Sequence, residues 1–291
     1  MIPATALSDA GPETRNSRLR ALWPRRRPVI MAILNCTPDS FSDGGLFVSR
    51  TEAVTHALRM VNEGANIIDI GGESTRPGAQ PVTTEEEIRR VVPVVTALRN
   101  RCPDTIVSVD TSKADVAAAA LEAGADLIND VTGAADPEML KTVVSAEAGI
   151  VLMHMRGRPR TMQKNPTYTN AQAEVHAFLV LRAREALEAG LPRDLVWLDP
   201  GIGFGKDDRA NVRLLAALPD LAALGHPVVV GVSRKSLIGR LTGADIGDRL
   251  PGSLAALTPS VSLPQAVVRV HDVRQTLQFL KVLAAIEEAG R

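Results

Sequence analysis

The chain has 291 residues, and its 33 basic residues balance its 33 acidic ones to give a formal net charge of +0. This balance excludes a global electrostatic attraction to nucleic acid or to an anionic membrane. No apolar stretch approaches the roughly 20 residues of a membrane-spanning helix. Hydrophobic residues make up 45% of the chain but aromatic residues only 3%, which suits aliphatic strands and helices packed in layers.

Cysteine usage and the first residues bear on location and domain boundaries. The two cysteines, Cys36 and Cys102, lie far apart in the sequence, which favours a reduced, cytoplasmic protein over a disulfide scaffold. Residues 1–27 are rich in arginine but lack the hydrophobic segment of a targeting peptide. We expect a poorly ordered basic leader over residues 1–27 and a single domain over residues 28–291.

Eight short apolar runs follow one another along the chain, and each ends at polar, ionisable or glycine residues. The runs are Val29–Leu34, Ile67–Ile70, Ile106–Val109, Leu127–Ile128, Ile150–Met153, Val196–Leu198, Val228–Val232 and Ala266–Val270. A parallel strand is buried on both faces and therefore reads as a continuous hydrophobic run. Because the carboxyl ends of parallel strands lie at one edge of a sheet, the eight polar ends indicate one shared site.

Segments with helical periodicity separate these runs. Thr84–Glu87 has the pattern of a capping box, and apolar residues recur after it at helical spacing as far as Leu98. Further helices are predicted over Lys113–Ala123, from Pro137 and over Ala171–Ala189. Right-handed crossovers in series can close on themselves, so the alternation predicts a TIM (β/α)₈ barrel, which takes about 250 residues. A doubly wound sheet is the alternative, but its ligand motifs would gather at one switch point.

Two proline-containing segments depart from this regularity. Pro93 lies inside the helix that follows the capping box, where it should remove one backbone hydrogen bond and bend the helix. The seventh crossover, between Gly252 and Ala266, contains two prolines and several hydroxyl-bearing or β-branched residues. We expect a kinked or partly irregular connection there.

Cationic side chains cluster after the seventh and eighth runs. The motif Ser233–Ser236 contains Arg234 and Lys235, and Arg269 and His271 lie at the end of the eighth run. In (β/α)₈ barrels phosphate groups commonly bind near the last two strands, where helix N-termini add backbone donors. The position favours an anion site over the alternative of merely solvated surface charges.

Asp110, Asn129 and Asp199 are each the first polar residue after an apolar run. Buried carboxylates need hydrogen-bond donors, so three such groups around one cavity suit a ligand with several N–H groups, such as an aminopyrimidinone ring. Taken singly, each residue could instead cap the barrel end or pair with Lys235. Asn35 offers a hard amide oxygen to Mg²⁺, an ion that binds few protein ligands together with substrate phosphates.

The motifs at the ends of the runs resemble, in order and spacing, those of the dihydropteroate synthase family, from about Val29 to the end of the chain. The matching blocks begin with Asn35-x-Thr37-Pro38-Asp39-Ser40-Phe41-Ser42 and Asp69-Ile70-Gly71-Gly72-Glu73-Ser74-Thr75-Arg76-Pro77, and continue with Asp110-Thr111, Asn129-Asp130, Met153-His154-Met155, Asp199-Pro200-Gly201-x-Gly203-Phe204-Gly205-Lys206, Ser233-Arg234-Lys235-Ser236 and Arg269-Val270-His271-Asp272. The resemblance implies a homodimeric transferase of folate synthesis that joins 7,8-dihydropterin-6-ylmethyl diphosphate to p-aminobenzoate and releases pyrophosphate, with Mg²⁺ as cofactor.

The resemblance also implies a role for each matching residue. Pterin binding falls to Asp110, Asn129, Met153, Asp199, Lys235 and Arg269; p-aminobenzoate binding to Thr75, Arg76, Pro77, Phe204, Lys235 and Ser236; pyrophosphate binding to Asn35, Arg269 and His271; and the metal to Asn35. The residues expected to act in catalysis are Asn35, Asp110, Lys235, Arg269 and His271.

Two other functions fit a barrel of this type. A noncatalytic pterin-binding relative would not need pterin and pyrophosphate residues together. A methyltransferase that passes methyl groups from a pterin to a corrinoid would not need the Ser74-Thr75-Arg76-Pro77 loop. The synthase is therefore the preferred interpretation. Its p-aminobenzoate loop shows no insertion that would exclude sulfonamides, and the sequence leaves two alternatives open, a sulfonamide target and a drug-insensitive variant.

Overall fold

Eight parallel strands close into one barrel. The computed structural model describes residues 14–23, 25, 27–37, 46–74, 80–157, 162 and 166–290. Neighbouring strands follow the chain order from β1 to β8, and β8 pairs with β1. The strands are β1 Val29–Asn35, β2 Ile67–Gly71, β3 Ile106–Asp110, β4 Leu127–Asp130, β5 Gly149–Met153, β6 Val196–Asp199, β7 Val228–Gly231 and β8 Ala266–Val270. The predicted TIM barrel is confirmed.

Helices connect the strands and cover the barrel. They are α1 Arg15–Arg20, α2 Leu46–Asn62, α3 Thr84–Arg101, α4 Ala114–Glu122, α5 Met139–Ser145, α6 Ala171–Glu188, α7 Asp208–Ala216, α8 Leu218–Ala222, α9 Ser236–Thr242, α10 Leu250–Ala255 and α11 Val273–Ala289. The helices expected over Lys113–Ala123 and Ala171–Ala189 are present, with both end residues of the first and Ala189 of the second serving as caps. Pro137 lies in the turn before α5 and does not open the helix.

The two proline-containing segments behave differently from each other. Helix α3 continues through Pro93, and its N-cap is Thr83, one residue before the predicted box; the Thr83 hydroxyl accepts a hydrogen bond from the Glu86 N–H. The seventh crossover is irregular, as predicted, because α10 is only six residues long and a 3₁₀ turn over Thr258–Ser260 follows it.

Alternate residues of each strand face opposite sides of the barrel wall. Ile68 and Ile70 pack outward against the helices, whereas Ile67 belongs to the cluster inside the barrel. Asp69 shares the inward direction of Ile67, because side chains alternate along a strand. The same alternation directs four polar residues inward, on the same side of their strands as residues of the inner apolar cluster. They are Asp110, Asn129, Asp199 and Arg269.

Helix α1 closes the amino-terminal end of the barrel. Leu19 and Leu22 are buried against the inner apolar cluster, and the Trp23 ring makes an edge contact with Trp197 at a centroid distance of 5.3 Å. Arg15 donates hydrogen bonds to three backbone carbonyls, including that of Ala125 at 2.9 Å. Residues 14–23 therefore differ from the poorly ordered leader expected there, because the spacing of their apolar side chains matches the open end of the barrel. Residues 1–13 lie outside the described part of the chain.

None of the helices in the described ranges combines the length and the apolar character that crossing a membrane requires.

Candidate functional site

A polar network fills the carboxyl-terminal end of the barrel interior, and Asp69 is its centre. The fully buried Asp69 carboxylate accepts hydrogen bonds from Ser108 Oγ at 2.6 Å, from Asn129 Nδ2 at 3.0 Å and from Arg269 Nε at 2.6 Å. The Arg269 guanidinium also donates to Asp110 Oδ2 at 2.8 Å. One arginine thus pairs with two carboxylates, and four strands are joined through their side chains.

The strand register explains why these residues meet. Asp110 is the register partner of Gly71 on one side and of Asn129 on the other, and Asp69 is the partner of Ser108. Arg269 comes from β8, which is separated from β2 only by β1. Its long side chain therefore reaches from β8 to the carboxylates of β2 and β3.

Burial and the fixed charges shift the proton affinities of this network. Burial raises the pKa of Asp110 to about 7; the Arg269 guanidinium acts in the opposite direction, and the nearby Asp69 carboxylate adds to the rise. For Arg269, burial would lower the pKa, but the carboxylates of Asp69 and Asp110 outweigh it and the net shift is upward. The arginine stays charged, and the Asp110 carboxyl changes protonation near neutral pH.

A second charged cluster lies at the ends of β6 and β7. Asp199 Oδ1 accepts a hydrogen bond from the Gly201 N–H at 2.6 Å, and burial raises the pKa of this carboxyl. The Lys235 ammonium donates to the carbonyl of Ile202 and lies 4.6 Å from the centre of the Phe204 ring. Burial lowers the pKa of Lys235 to about 8, while Asp199 opposes that shift.

Met153 and Ser236 border this cluster on different sides. Met153 is buried at the end of β5 and is the register partner of Asp199. Ser236 is exposed and begins α9, immediately after Lys235. Five residues therefore lie on one side of the opening at the carboxyl-terminal ends of the strands, which is called the barrel mouth below. They are Met153, Asp199, Phe204, Lys235 and Ser236.

Arg234 does not join the cationic site that its motif predicts. Its side chain pairs with Asp272, with Nε 3.0 Å from Oδ2, and its backbone has a positive φ of 57°. This turn separates Arg234 from the neighbouring Lys235, so only the lysine enters the charged cluster. His271 lies on the other side of the turn, where its ring Nδ1 is 3.0 Å from Ser233 Oγ.

Lys206 is a buried cation that sequence reasoning did not assign to the site. It is 1% exposed, and its ammonium donates to the carbonyls of His154 at 3.1 Å, Gly201 at 2.8 Å and Phe204 at 3.0 Å. These bonds tie the loop after β5 to the loop after β6. Burial lowers the pKa of Lys206 to about 7, with Asp199 acting in the opposite direction.

Glycine is required where these two loops touch. Gly201 and Gly205 both have positive φ angles, and a Cβ atom would lie 1.9 Å from the His154 carbonyl oxygen at Gly201 and 2.3 Å from the Arg156 oxygen at Gly205. Backbone contact this close excludes any side chain at either position. The glycines of the Asp199–Lys206 motif therefore serve close loop packing, which also places Phe204.

Asn35 is the predicted ligand of Mg²⁺. It is the last residue of β1 and is partly exposed. Its amide oxygen lies beside Gly71, the last residue of the neighbouring strand β2, since a Cβ added at Gly71 would be 3.8 Å from that oxygen. Within the described residues no group of three His, Cys, Asp or Glu side chains is arranged to hold a metal ion. An ion here would complete its coordination with substrate phosphate and water, as Mg²⁺ commonly does.

Three predicted residues, Thr75, Arg76 and Pro77, lie outside the described residues, as does the part of the first loop over residues 38–45. The described start of the second loop is held by Lys113, which pairs with Glu73 and with the buried Glu87 of α3. Burial alone would lower the pKa of Lys113, but its two carboxylate partners raise it.

Fold and mouth together define a (β/α)₈ enzyme whose interior ends in acidic and cationic groups, and comparison with known proteins gives its class. The family model described as "Pterin binding enzyme" matches residues 31–271. The chain belongs to the dihydropteroate synthase family. It is 48% identical over 263 residues to dihydropteroate synthase of Haemophilus influenzae, an alignment that covers 90% of this chain and 95% of that protein.

Solved structures support the same assignment. Xanthomonas albilineans dihydropteroate synthase with 4-aminobenzoic acid has a TM-score of 0.83 at 47% identity, over 90% of this chain and 93% of that one. Yersinia pestis dihydropteroate synthase in a sulfonamide drug complex has a TM-score of 0.84 at 42% identity, over 90% and 95% of the two chains. The family and its transferase activity, both predicted from the sequence motifs, are confirmed.

Proposed function

We propose that this chain joins 7,8-dihydropterin-6-ylmethyl diphosphate to p-aminobenzoate and releases pyrophosphate. In this reaction the bond between the pterin methylene carbon and the diphosphate oxygen breaks, and a bond from that carbon to the aniline nitrogen forms. The nitrogen loses one proton, and the diphosphate carries away the electron pair. The observation that supports this best is the convergence of Asp110, Asn129, Asp199, Lys235 and Arg269 at one mouth of the barrel.

The acidic part of the mouth suits the pterin ring. A dihydropterin presents several N–H groups, and carboxylate and amide oxygens accept from them. The Asn129 Nδ2 group donates to Asp69, so the Asn129 amide oxygen is directed away from Asp69 and remains an acceptor for a ligand. We assign Asp110, Asn129 and Asp199 to the ring, with Met153 as an apolar wall.

The cationic part suits the departing diphosphate. Arg269 and His271 lie two residues apart at the end of β8, and Asn35 ends the adjacent β1. Negative charge grows on the leaving group as the bond breaks, and the fixed Arg269 cation and a ring N–H of His271 would stabilise it. Mg²⁺ held by Asn35 would bind the diphosphate oxygens and add to this stabilisation. Treatment with a chelator should abolish turnover, and added Mg²⁺ should restore it.

The third side of the mouth suits p-aminobenzoate. The Phe204 ring provides an aromatic surface beneath the Lys235 ammonium. Ser236, at the start of α9, would place its hydroxyl and the N-terminus of that helix near the carboxylate of p-aminobenzoate. Thr75, Arg76 and Pro77 are proposed to complete this subsite. The aniline nitrogen is already nucleophilic and needs positioning more than a strong base, so the reaction does not require a catalytic dyad.

The decisive experiment compares two aspartates at opposite ends of β6. Asp199→Asn should remove most pyrophosphate release that depends on both substrates, whereas Asp194→Asn, in the 3₁₀ turn at the amino-terminal end, should leave it unchanged. Release without p-aminobenzoate, or full activity of Asp199→Asn, would contradict the proposed function. A methyltransferase or a noncatalytic pterin-binding protein would give no such release.

We further propose that sulfonamides compete with p-aminobenzoate in this enzyme, since the Yersinia pestis relative is known in a sulfonamide complex. Competition in the same assay tests this directly.

A homodimer in the cytoplasm is also proposed. Val180 and Leu181 on α6 and Val212 on α7 are more than 40% exposed, an amount of apolar surface that suits a subunit contact. Both cysteines are free thiols, which suits a reducing compartment. Sedimentation at two protein concentrations tests the dimer, and cell fractionation tests the location.

A further inference from the structure

Ser233 contacts His271 at two points. The serine lies just beyond β7 and is 8% exposed, and its Oγ accepts a hydrogen bond from the backbone N–H of His271 at 3.2 Å. The same Oγ is 3.0 Å from Nδ1 of the His271 ring. One hydroxyl therefore binds both the backbone and the side chain of a residue on the neighbouring strand end.

The single hydrogen of the Ser233 hydroxyl determines the direction of the second bond. A serine hydroxyl has one O–H donor and two acceptor lone pairs, and the backbone N–H of His271 already occupies one lone pair. Among the described residues, His271 Nδ1 is the one acceptor within hydrogen-bond distance of the Ser233 hydroxyl. A buried O–H without an acceptor is costly, so this O–H donates to Nδ1.

We infer that Ser233 fixes His271 as the neutral tautomer with its hydrogen on Nε2, and that this N–H serves as a donor to the diphosphate of the substrate. The inference rests on the function proposed above and adds a positioning residue to it. A neutral imidazole carries a hydrogen on only one nitrogen, so a bond that makes Nδ1 an acceptor leaves Nε2 as the donor. An anion is bound by N–H donors and is repelled by an unprotonated ring nitrogen.

The local backbone holds the serine in place for this purpose. Arg234 has a left-handed conformation with φ 57°, and its N–H donates to Ser253 Oγ at 3.0 Å. The turn directs Ser233 toward β8 and Lys235 toward β6. The first serine of the Ser233–Ser236 motif thus has a different function from its last serine, which is exposed at the start of α9.

The tautomer can be measured without any activity assay. The chain contains five histidines, and the ¹⁵N resonances of His271 are assigned by comparison with His271→Gln. In the wild-type protein Nδ1 should give an acceptor-type signal and Nε2 a protonated one. Ser233→Ala should convert this to a mixture of tautomers, and Ser233→Thr, which keeps the hydroxyl, should preserve it. An Nδ1 that is protonated in the wild type, or a tautomer unaffected by Ser233→Ala, overturns the inference.

Kinetics test the consequence for catalysis. Ser233→Ala should lower kcat/KM for the pterin diphosphate about tenfold and weaken product inhibition by pyrophosphate by a similar factor, while KM for p-aminobenzoate stays within about twofold. Ser260→Ala also removes a buried hydroxyl, one that donates to Leu257, and should change none of these values. Equal loss for both substrates would indicate a merely structural role and overturn the inference. An inactive wild type with the expected tautomer would refute the proposed function instead.

Discussion

The two ends of the barrel interior are built from the same strands but from opposite kinds of side chain. At the amino-terminal end Trp197, Ile67 and Val267 pack into an apolar cluster with Leu19 of α1 and with Leu22, just beyond that helix. Two residues further along the same strands, the inward positions carry Asp199, Asp69 and Arg269. Two residues along each strand are therefore enough to change the inward side chains from apolar to charged.

This difference separates stability from function within one core. Burial of apolar surface at the amino-terminal end stabilises the fold directly. Buried ion pairs at the other end contribute little net stability, because the loss of hydration offsets much of their attraction. Carboxylates and an arginine are retained there because a polar ligand with an anionic leaving group needs them. Mutations at the amino-terminal end should therefore lower stability alone, whereas mutations at the carboxyl-terminal end should lower activity as well. Four measurements test this difference.

The largest effect is expected from Arg269→Gln. Removal of the guanidinium leaves the buried carboxylates of Asp69 and Asp110 without their cation, so we expect a loss of about 3–5 kcal/mol in the free energy of unfolding and roughly a 10³-fold loss in kcat. Arg99→Gln is the matched control, since Arg99 also pairs with a fully buried carboxylate, that of Asp126, but away from the carboxyl-terminal mouth. It should lower stability alone; equal kinetic losses in both variants would contradict the division between the two ends.

Trp197→Ala tests the apolar end. This side chain is fully buried, and its indole N–H donates to the Asp194 carbonyl at 3.0 Å. We expect a loss of about 3–5 kcal/mol from the cavity and the lost contacts, measured by denaturant unfolding, with both KM values unchanged for the folded fraction. Trp197→Phe should recover part of the stability. A large rise in KM would show that the two ends are coupled.

Lys206→Met tests a cation that binds no carboxylate directly. The methionine keeps most of the apolar stem but leaves three backbone carbonyls without their donor, so unfolding free energy should fall by about 2–4 kcal/mol. Because Lys206 holds the Phe204 carbonyl, KM for p-aminobenzoate should rise more than KM for the pterin substrate. Tyr168→Phe removes a single bond to the same loop, to the Gly205 carbonyl, and should give a smaller effect. An unchanged ratio of the two KM values would count against this role of the lysine.

The smallest effect is a change in the shape of the pH profile. Burial raises the pKa of Asp110 to about 7, so its carboxylate acceptor is lost as the pH falls below that value. Burial lowers the pKa of Lys235 to about 8, so its charge is lost above it. The plot of kcat/KM for the free enzyme should therefore be a narrow bell between these limits. Lys235→Arg should remove the alkaline limb, since arginine stays charged; an unmoved alkaline limb would assign it to another group.

Several parts of the site were missed by sequence reasoning for identifiable reasons. Asp69 lies inside the apolar run Ile67–Ile70 and therefore reads as part of the strand, although a carboxylate between isoleucines indicates a buried partner. Lys206 follows a glycine loop and resembles a solvated lysine, because its partners are backbone carbonyls that no side-chain pattern reveals. In the α1 segment, Leu19, Leu22 and Trp23 have helical spacing, which the surrounding arginines obscured.

The sequence by itself determined the eight strands, the barrel and the family, because continuous apolar runs with polar ends specify a parallel sheet and its functional edge. The tertiary structure decided which charges meet. Arg269 and Asp69 are 200 residues apart in the chain, and only barrel closure and strand register bring them to 2.6 Å. Likewise, only the left-handed turn at Arg234 decides that Lys235 enters the site while its neighbour pairs outside it, since alternation along a strand cannot predict directions within a loop.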